Sequence, residues 1–420
     1  MGIVISRMRG LLLRTVLRAT LLPESPALTF LLAEPLLRLI RPPRVEAPSR
    51  ILVLRLDGIG DVVLTSPLLR ELKQNHPTAS ITLVVDPRVH NLVELCPHVE
   101  EVLTFDWRGS RIWGSFQRQT RALLLAKKAL WKRRFDVAIL PRWDDDTFHA
   151  HHLAYLSGAR RRVGNVRPAA GARKPMSLRR GLLTERIRDS SPKHEVERNL
   201  DVLRSMNKTI RSDALELWLD ESDDATGARL LGGGRRSPSH LFFALGIGAG
   251  APKREWPIEH FVQLGEWLIQ EMECNLVVVG SKHDGARACF LEDRLGPQVI
   301  HAAGKLTLRQ TGALLRLCDL FIGNDSGPMH IAAAGHVPVV EISCHPRLGP
   351  PLGPHSPVRF GPWRVPSVVV QPERPESPCL EECLATQPHC ILGVAPADVQ
   401  ASVEQLLRAT ATSGERDTQP

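Results

Sequence analysis

From residue 51 onward, short apolar runs alternate with longer stretches whose apolar positions recur at helical spacing. ILVLRL at 51–56 is apolar but for one arginine, the loop DGIGD follows, and residues 62–77 place leucines on one helical face. ITLVVD, EVLTF and DVAIL repeat the short apolar run, and residues 118–134, ahead of the last, carry a basic amphipathic helical pattern. Continuous rather than alternating apolar strands are buried on both faces, so the pattern predicts a parallel sheet covered by crossover helices. A second series opens at Leu241 with LFFALG, a glycine-rich loop and a helical stretch over 258–272, then the strands NLVVVG, DLFIGN and VPVVEI. Between the series, ESDDATGARLLGGGRRSPS is polar and glycine-rich and predicts a helix followed by an exposed connection. The expected architecture is α/β, with two Rossmann-like doubly wound parallel-sheet domains, at 50–220 and 238–410, facing a cleft. A chain of 420 residues fits that division, because single cores rarely grow past about 250–300 residues.

Residues 1–49 differ. They are leucine-rich, carry Arg7, Arg9, Arg14, Arg18, Arg38 and Arg41, and are interrupted by Pro23, Pro26 and Pro35. No uninterrupted apolar run reaches the ~18–20 residues of a bilayer span. Arginines run through the apolar stretch instead of only preceding it, unlike a cleaved signal. The segment is either a basic amphipathic element lying on an anionic membrane surface or a packing helix or extension. Lysine plus arginine exceed aspartate plus glutamate by 54 to 45, and the formal charge of +9 favours anionic partners. With aromatic residues at 5% and a single tyrosine there is little to stack on bases, so no nucleic-acid partner is expected. Eight cysteines in a chain this long do not make a disulfide framework, and the cytosol is the expected compartment.

Ligands of open parallel sheets bind beyond the carboxyl ends of strands, and four loops stand there. In LRLDGIGDVVLTSP, Gly58 and Gly60 permit close backbone approach. Asp61 at the helix start is either a cap or a general base for an acceptor hydroxyl. In GIGAGAPKREWP, three glycines ending at Gly250 precede Lys253 and Arg254, which together with backbone amides suit a diphosphate. In VVVGSKHDG, Asp284 is either a ribose contact or part of a solvated turn. In FIGNDSGPMHIAAAG, Asn324, Asp325, Ser326 and Gly327 open a small-residue helix that includes His330 and whose free amides suit a phosphate.

Other clusters leave alternatives open. Arg160, Arg161, Arg162, Arg167, Arg173, Lys174, Arg179 and Arg180 form either an anionic-acceptor surface or a solvated basic loop. Asp144, Asp145 and Asp146 with His149, His151 and His152 have metal-ligand chemistry, but adjacent aspartates usually point apart, and their place after a strand suits acceptor contact. His194, Glu195 and Arg198 either line the cleft or form a surface helix start. Cys379-x3-Cys383-x6-Cys390, with His389 beside the last, suits a metal, a disulfide or packed thiols.

Three stretches in order, LRLDGIGDVVLTSPLLRELKQNHP, GAGAPKREWPIEHF and IGNDSGPMHIAAAGHVPVV, resemble glycosyltransferase family 9, the ADP-heptose:lipopolysaccharide heptosyltransferases. PRWDDDTFHAHHLAYLSGARRRVG and HEVERNLDVL are similar to further segments of that family, and the resemblance spans roughly residues 50 to 405. It implies a GT-B fold, an inverting and metal-independent transfer without cofactor, and a nucleotide held mainly by the C-terminal domain. It implies Asp61 as catalytic base and Arg254 in place of a usual lysine on the donor phosphate, the lysine here standing one place earlier at Lys253. The implied donor-binding set is Gly250, Lys253, Arg254, Asp284, Asn324, Asp325, Ser326, Gly327 and His330. The implied acceptor-binding set is Gly60, Arg142, Asp144 and Arg162. The expected partners are a nucleotide-diphospho-sugar and an anionic glycolipid. The expected place is the cytoplasm, peripheral on the inner face of the cytoplasmic membrane. Transfer of a different activated sugar and a non-catalytic nucleotide-sugar-binding role are the alternatives.

Overall fold

The computed structural model describes residues 37, 47–108, 114–167, 182–232, 241–377, 379 and 383–414. All but one residue of the leucine- and arginine-rich N-terminal segment up to residue 46, and Arg173, Lys174, Arg179 and Arg180, lie outside these. Among the described residues no helix is long and apolar enough to cross a membrane.

Two six-stranded sheets carry the fold, and every pairing in them is parallel. The first contains β1 (Arg50–Arg55), β2 (Ser80–Val85), β3 (Glu101–Thr104), β4 (Val137–Leu140), β5 (Arg161–Asn165) and β6 (Glu185–Ile187), in the order β3-β2-β1-β4-β5-β6. The second contains β7 (Leu241–Gly246), β8 (Cys274–Val279), β9 (Val299–His301), β10 (Leu320–Asn324), β11 (Val339–Ile342) and β12 (Ser367–Val370), in the order β12-β11-β10-β7-β8-β9. Both are doubly wound sheets of one topology, each reversing direction beside its first strand, as the alternating apolar runs predict. The central strands are the most apolar because they are covered on both faces: Ile51, Leu52 and Val53 are fully buried, as are Phe243, Ala244 and Leu245.

The structure differs from the sequence pattern in three places. Residues 62–77 read as one helix, yet the chain forms Ile59–Val63 and then Ser66–Asn75. Pro67 is the cause: it has no amide hydrogen to give and its ring excludes the carbonyl four residues back. At the break the Thr65 hydroxyl donates to Asp61 O at 2.7 Å. Strands β5 and β6 are masked by charge, for Arg161 in β5 pairs with Glu185 in β6 at 2.8 Å. Arg162 is a correction to the basic-surface expectation. It is buried in β5, with Nη1 on Ala159 O at 2.6 Å and Nε on Leu182 O. The helix Glu221–Leu230 forms as expected, closed by a reciprocal cap between Asp220 and Asp223. It packs on helix Leu308–Leu315 so closely that a Cβ at Gly227 would lie 2.9 Å from Leu314 N.

The two halves share one apolar core. The cluster containing Val62, Leu64 and Leu68 continues into Leu314, Met329 and Ile331. That continuity presses the carboxyl ends of the two sheets against each other, which is where both sets of candidate loops lie.

Candidate active site

The crevices of doubly wound sheets open where strand order reverses, here between β1 and β4 and between β7 and β10. The loop of Asp61 follows β1 and the Arg142–Asp146 segment follows β4. The Arg254 loop follows β7 and the Asn324–Gly327 loop follows β10. Those four segments meet.

On the first sheet, Gly58 is the N-cap of helix Ile59–Val63 and no side chain caps it. Asp61 sits in the first turn, but its carboxylate is held by Arg55, whose Nη2 donates to Oδ1 at 2.8 Å. Its side chain is about a quarter exposed, and among the described residues Oδ2 has no hydrogen-bond partner. Asp57 is different: it is buried, with Arg55 Nε at 3.0 Å on one oxygen and Arg142 Nη1 on the other. Burial raises the Asp57 pKa, and the two guanidiniums pull against that rise. Burial opposes the charge of Arg142, but Asp57, Asp61 and Asp144 hold its pKa above the ordinary arginine value. Asp57, Arg142 and Asp144 border a small, partly open pocket that Leu54, Phe148 and His151 also line.

The aspartate triplet diverges. Asp146 accepts the amides of Ala150 and His151, both at 2.9 Å, and so anchors helix Ala150–Leu156. Asp145 is exposed, and Asp144 pairs with Arg359 at 2.7 Å. Of the aspartates, one anchors a helix and one forms an ion pair.

On the second sheet, Asn324 is fully buried and fixes two loops at once. Its Oδ1 accepts Trp256 N at 3.0 Å and its Nδ2 donates to Ile247 O at 2.9 Å. This places Arg254 over the next residue, with Nη1 at 3.2 Å from Asp325 Oδ2. Gly250 lies close under the Arg254 side chain: a Cβ there would lie 2.5 Å from Nη2 and displace the guanidinium. Lys253 is half-buried on the same turn. Ser326 is the N-cap of helix Gly327–Ala334 but gives that helix no side-chain cap. Asp284 is committed elsewhere: its Oδ2 accepts Ser281 N at 2.7 Å and Ser281 Oγ at 2.8 Å, closing a reciprocal cap.

Among the described residues, four buried polar atoms around the Arg254–Asp325 pair lack a hydrogen-bond partner: Arg254 Nε, Ser326 Oγ, His330 Nδ1 and Glu341 Oε2. Buried polar groups are normally satisfied, so such a concentration marks a place built for a polar ligand. Glu341, on β11, was not singled out by the sequence, where VPVVEI reads only as a strand. Burial raises its pKa well above the ordinary carboxylate value, and nearby Asp325 adds to the rise while Arg254 opposes it.

The two sheets touch here. A Cβ at Gly60 would lie 2.3 Å from His330 Cδ2, and one at Gly327 would lie 2.7 Å from Ile59 Cβ. The helix bearing Asp61 therefore abuts the helix whose N-terminus carries the unpartnered atoms. Burial lowers the His330 pKa to about 4 from 6.5, and Arg254 opposes the pull of Asp325 in the other direction. As pH falls below 6.5 the unfolded chain takes this proton first, so the stability His330 contributes at neutral pH is lost between 6.5 and 4. The loss amounts to about 3 kcal/mol at 1.36 kcal/mol per unit. Denaturation midpoints recorded from pH 4 to 7 are expected to rise less steeply in His330→Asn than in the unaltered chain; equal slopes would show that another group controls this window.

A second contact joins the sheets. Arg359, on helix Pro357–Phe360, is fully buried and pairs with both Asp144 and Glu195 at 2.7 Å. His194 stacks on Trp363 at 4.3 Å and its Nε2 meets Gly361 O at 3.0 Å. His194 and Glu195, left unassigned by the sequence, are seam residues.

The sequence profile of glycosyltransferase family 9 (heptosyltransferase) matches residues 125–389. The chain belongs to glycosyltransferase family 9. It is a glycosyltransferase, and its two sheets form the paired Rossmann-like fold of the GT-B class. It is 26% identical over 378 residues to lipopolysaccharide heptosyltransferase 3 of Escherichia coli K12, covering 86% of this chain and 98% of that protein. Lipopolysaccharide heptosyltransferase 2 of the same strain is 25% identical over 317 residues, with 72% and 85% covered. The fold is similar to that of the family 9 glycosyltransferase of Veillonella parvula, with a TM-score of 0.71, 22% identity and coverage of 86% and 98%. It is also similar to the E. coli ADP-heptose lps heptosyltransferase II structure, with a TM-score of 0.62, 21% identity and coverage of 86% and 99%.

Proposed function

We propose that this glycosyltransferase moves heptose from ADP-heptose to an anionic glycolipid of the lipopolysaccharide core, with inversion at the anomeric carbon. The observation that carries the reading is the group of unpartnered buried polar atoms at the N-terminus of helix Gly327–Ala334, directly against the helix of Asp61. The relatives that are lipopolysaccharide heptosyltransferases, one of them an ADP-heptose enzyme, favour the sugar and its nucleotide.

In this reading the donor diphosphate lies over Gly327 and takes hydrogen bonds from Ser326 Oγ, Arg254 and the helix amides. Arg254 and the helix dipole then absorb the charge that develops as the sugar–phosphate bond breaks. Lys253 adds charge from the same turn, so this division of labour calls on no metal. Asp61 Oδ2 takes the proton of the acceptor hydroxyl, which attacks from the opposite face. Arg142 and Asp144 contact the acceptor in the adjoining pocket, and Gly60 keeps the approach clear. Arg162 leaves this set because its guanidinium is held on backbone carbonyls. The work is done on the cytoplasmic face of the inner membrane, where such acceptors are anchored.

The deciding experiment supplies a panel of nucleotide sugars with membrane glycolipid extracts and analyses products by mass. A gain of one heptose with ADP release is expected; another sugar in its place would move the donor assignment. Donor binding without any product, across all acceptors, would favour a nucleotide-sugar-binding protein instead. Arg254→Ala should weaken donor binding by about 10- to 100-fold, the loss of a charge-assisted hydrogen bond worth roughly 1.5–3 kcal/mol. Titration calorimetry checks it, and unchanged affinity would shift the phosphate contact to Lys253.

A further inference from the structure

Residues 371–395 run from β12 to the last helix, Pro396–Gly414, with no strand or long helix to hold the described part in place. Soft ligands gather there instead. Cys379 and Cys390 are both buried, and His389 Nδ1 lies 3.3 Å from Cys390 Sγ. The ligand atoms of Cys379, His389 and Cys390 all lie within 4.8 Å of one another. Tetrahedral zinc, with bonds of about 2.3 Å to sulfur and 2.0 Å to nitrogen, requires ligand atoms separated by about 3.5–3.8 Å, so small side-chain rotations bring these three into range. Cys383 is half-buried and within electrostatic reach of Cys390.

We propose that Cys379, Cys383, His389 and Cys390 bind one zinc-class dication in a closed tetrahedral site that clamps this segment beneath the donor loop. The donor set argues for a metal over a disulfide. An imidazole contributes nothing to a disulfide, whereas three thiolates with one imidazole are a complete structural zinc shell. Four protein ligands leave no open position, so the metal acts on structure and not on the transferred sugar, and the transfer itself proceeds without it.

The clamp reaches the donor through one hydrogen bond. Val394 O, four positions after Cys390, accepts the indole Nε1 of buried Trp256 at 2.9 Å. Trp256 N is in turn held by Asn324, two residues beyond Arg254. Loss of the metal frees the 389–394 segment and with it one of the two ties on the turn that aims Arg254.

Elemental analysis of the full chain, purified without chelator, is expected to give about one zinc per chain, falling severalfold in both Cys379→Ser and Cys390→Ser and staying near one in Cys344→Ser. Cobalt exchange into the unaltered chain should give sulfur-to-cobalt charge-transfer absorption, which reports thiolate ligation without relying on any variant folding. Chelation should lower the melting temperature and raise the donor dissociation constant together. The proposal is overturned by metal-free protein whose intact mass is two hydrogens light, by metal-free protein in which these thiols react freely, or by bound cobalt that lacks the charge-transfer band.

Discussion

Asp61→Asn is expected to lower kcat by about 10²- to 10⁴-fold, the usual worth of a positioned general base, with donor affinity changed less than twofold. Asparagine preserves the shape and can still accept from Arg55 through its carbonyl oxygen, but it cannot take a proton. The geometry separates Asp61 from its neighbour Asp57. Asp57 has both oxygens engaged by Arg55 and Arg142 and is buried, so it organises the pocket. Asp61 gives one oxygen to Arg55 and leaves the other without a hydrogen-bond partner among the described residues, one residue from the Gly60–His330 contact. The experiment pairs single-turnover rates with calorimetric donor binding. Turnover within a few-fold of the unaltered enzyme would remove Asp61 as the base, and a matched loss of donor affinity would make it a donor-loop support.

The sheets were legible in the sequence because central strands such as those at 51–55 and 241–246 are apolar on both faces, and a run of that kind has few other uses. The outer strands β5 and β6 were less so. Strand β5 reads as a basic loop since its arginines are neutralised by Glu185 and by carbonyls that only the fold brings near. The glycine and basic positions of the Arg254 loop stood out because close approach of a backbone to an anion restricts residue type at short spacing. Asp284 illustrates the limit of spacing: the loop reads as a ribose contact or a solvated turn, and the structure shows the carboxylate buried in a cap with Ser281. Glu341 and Arg359 gave no local signal. The first resembles any polar residue ending a strand. The second lies in a proline- and glycine-rich stretch without periodicity, and its partners are 164 and 215 residues away.

Arg359 carries the largest expected effect on stability: Arg359→Met should cost about 3–5 kcal/mol, because it strands buried carboxylates that the guanidinium now compensates. The side chain is fully buried, with Nε at 2.8 Å from Glu195 Oε1 and Nη2 at 2.7 Å from Asp144 Oδ2. It lies 4.9 Å from the Trp143 ring centroid and 4.6 Å from that of Phe360. Burial already pushes the Glu195 pKa up against the pull of Arg359, so removing the cation shifts it further up. Asp144 has the opposite balance, held below the ordinary carboxylate range chiefly by Arg359 against burial. Its stabilising share is therefore present above pH 3.8 and lost as pH falls through the lowered value. Arg359→Lys keeps the charge but cannot fork to two carboxylates, so an intermediate loss is expected. The triple change Arg359→Met, Asp144→Asn and Glu195→Gln should recover most of the stability, since buried ion pairs replaced on both sides approach neutrality. Urea denaturation of the four proteins measures this directly. A loss below about 1 kcal/mol in Arg359→Met would assign the seam to its apolar core alone. A large loss that the triple change does not recover would assign it to packing against Trp143, leaving the pocket beside Asp144 to be shaped by stacking and not by charge.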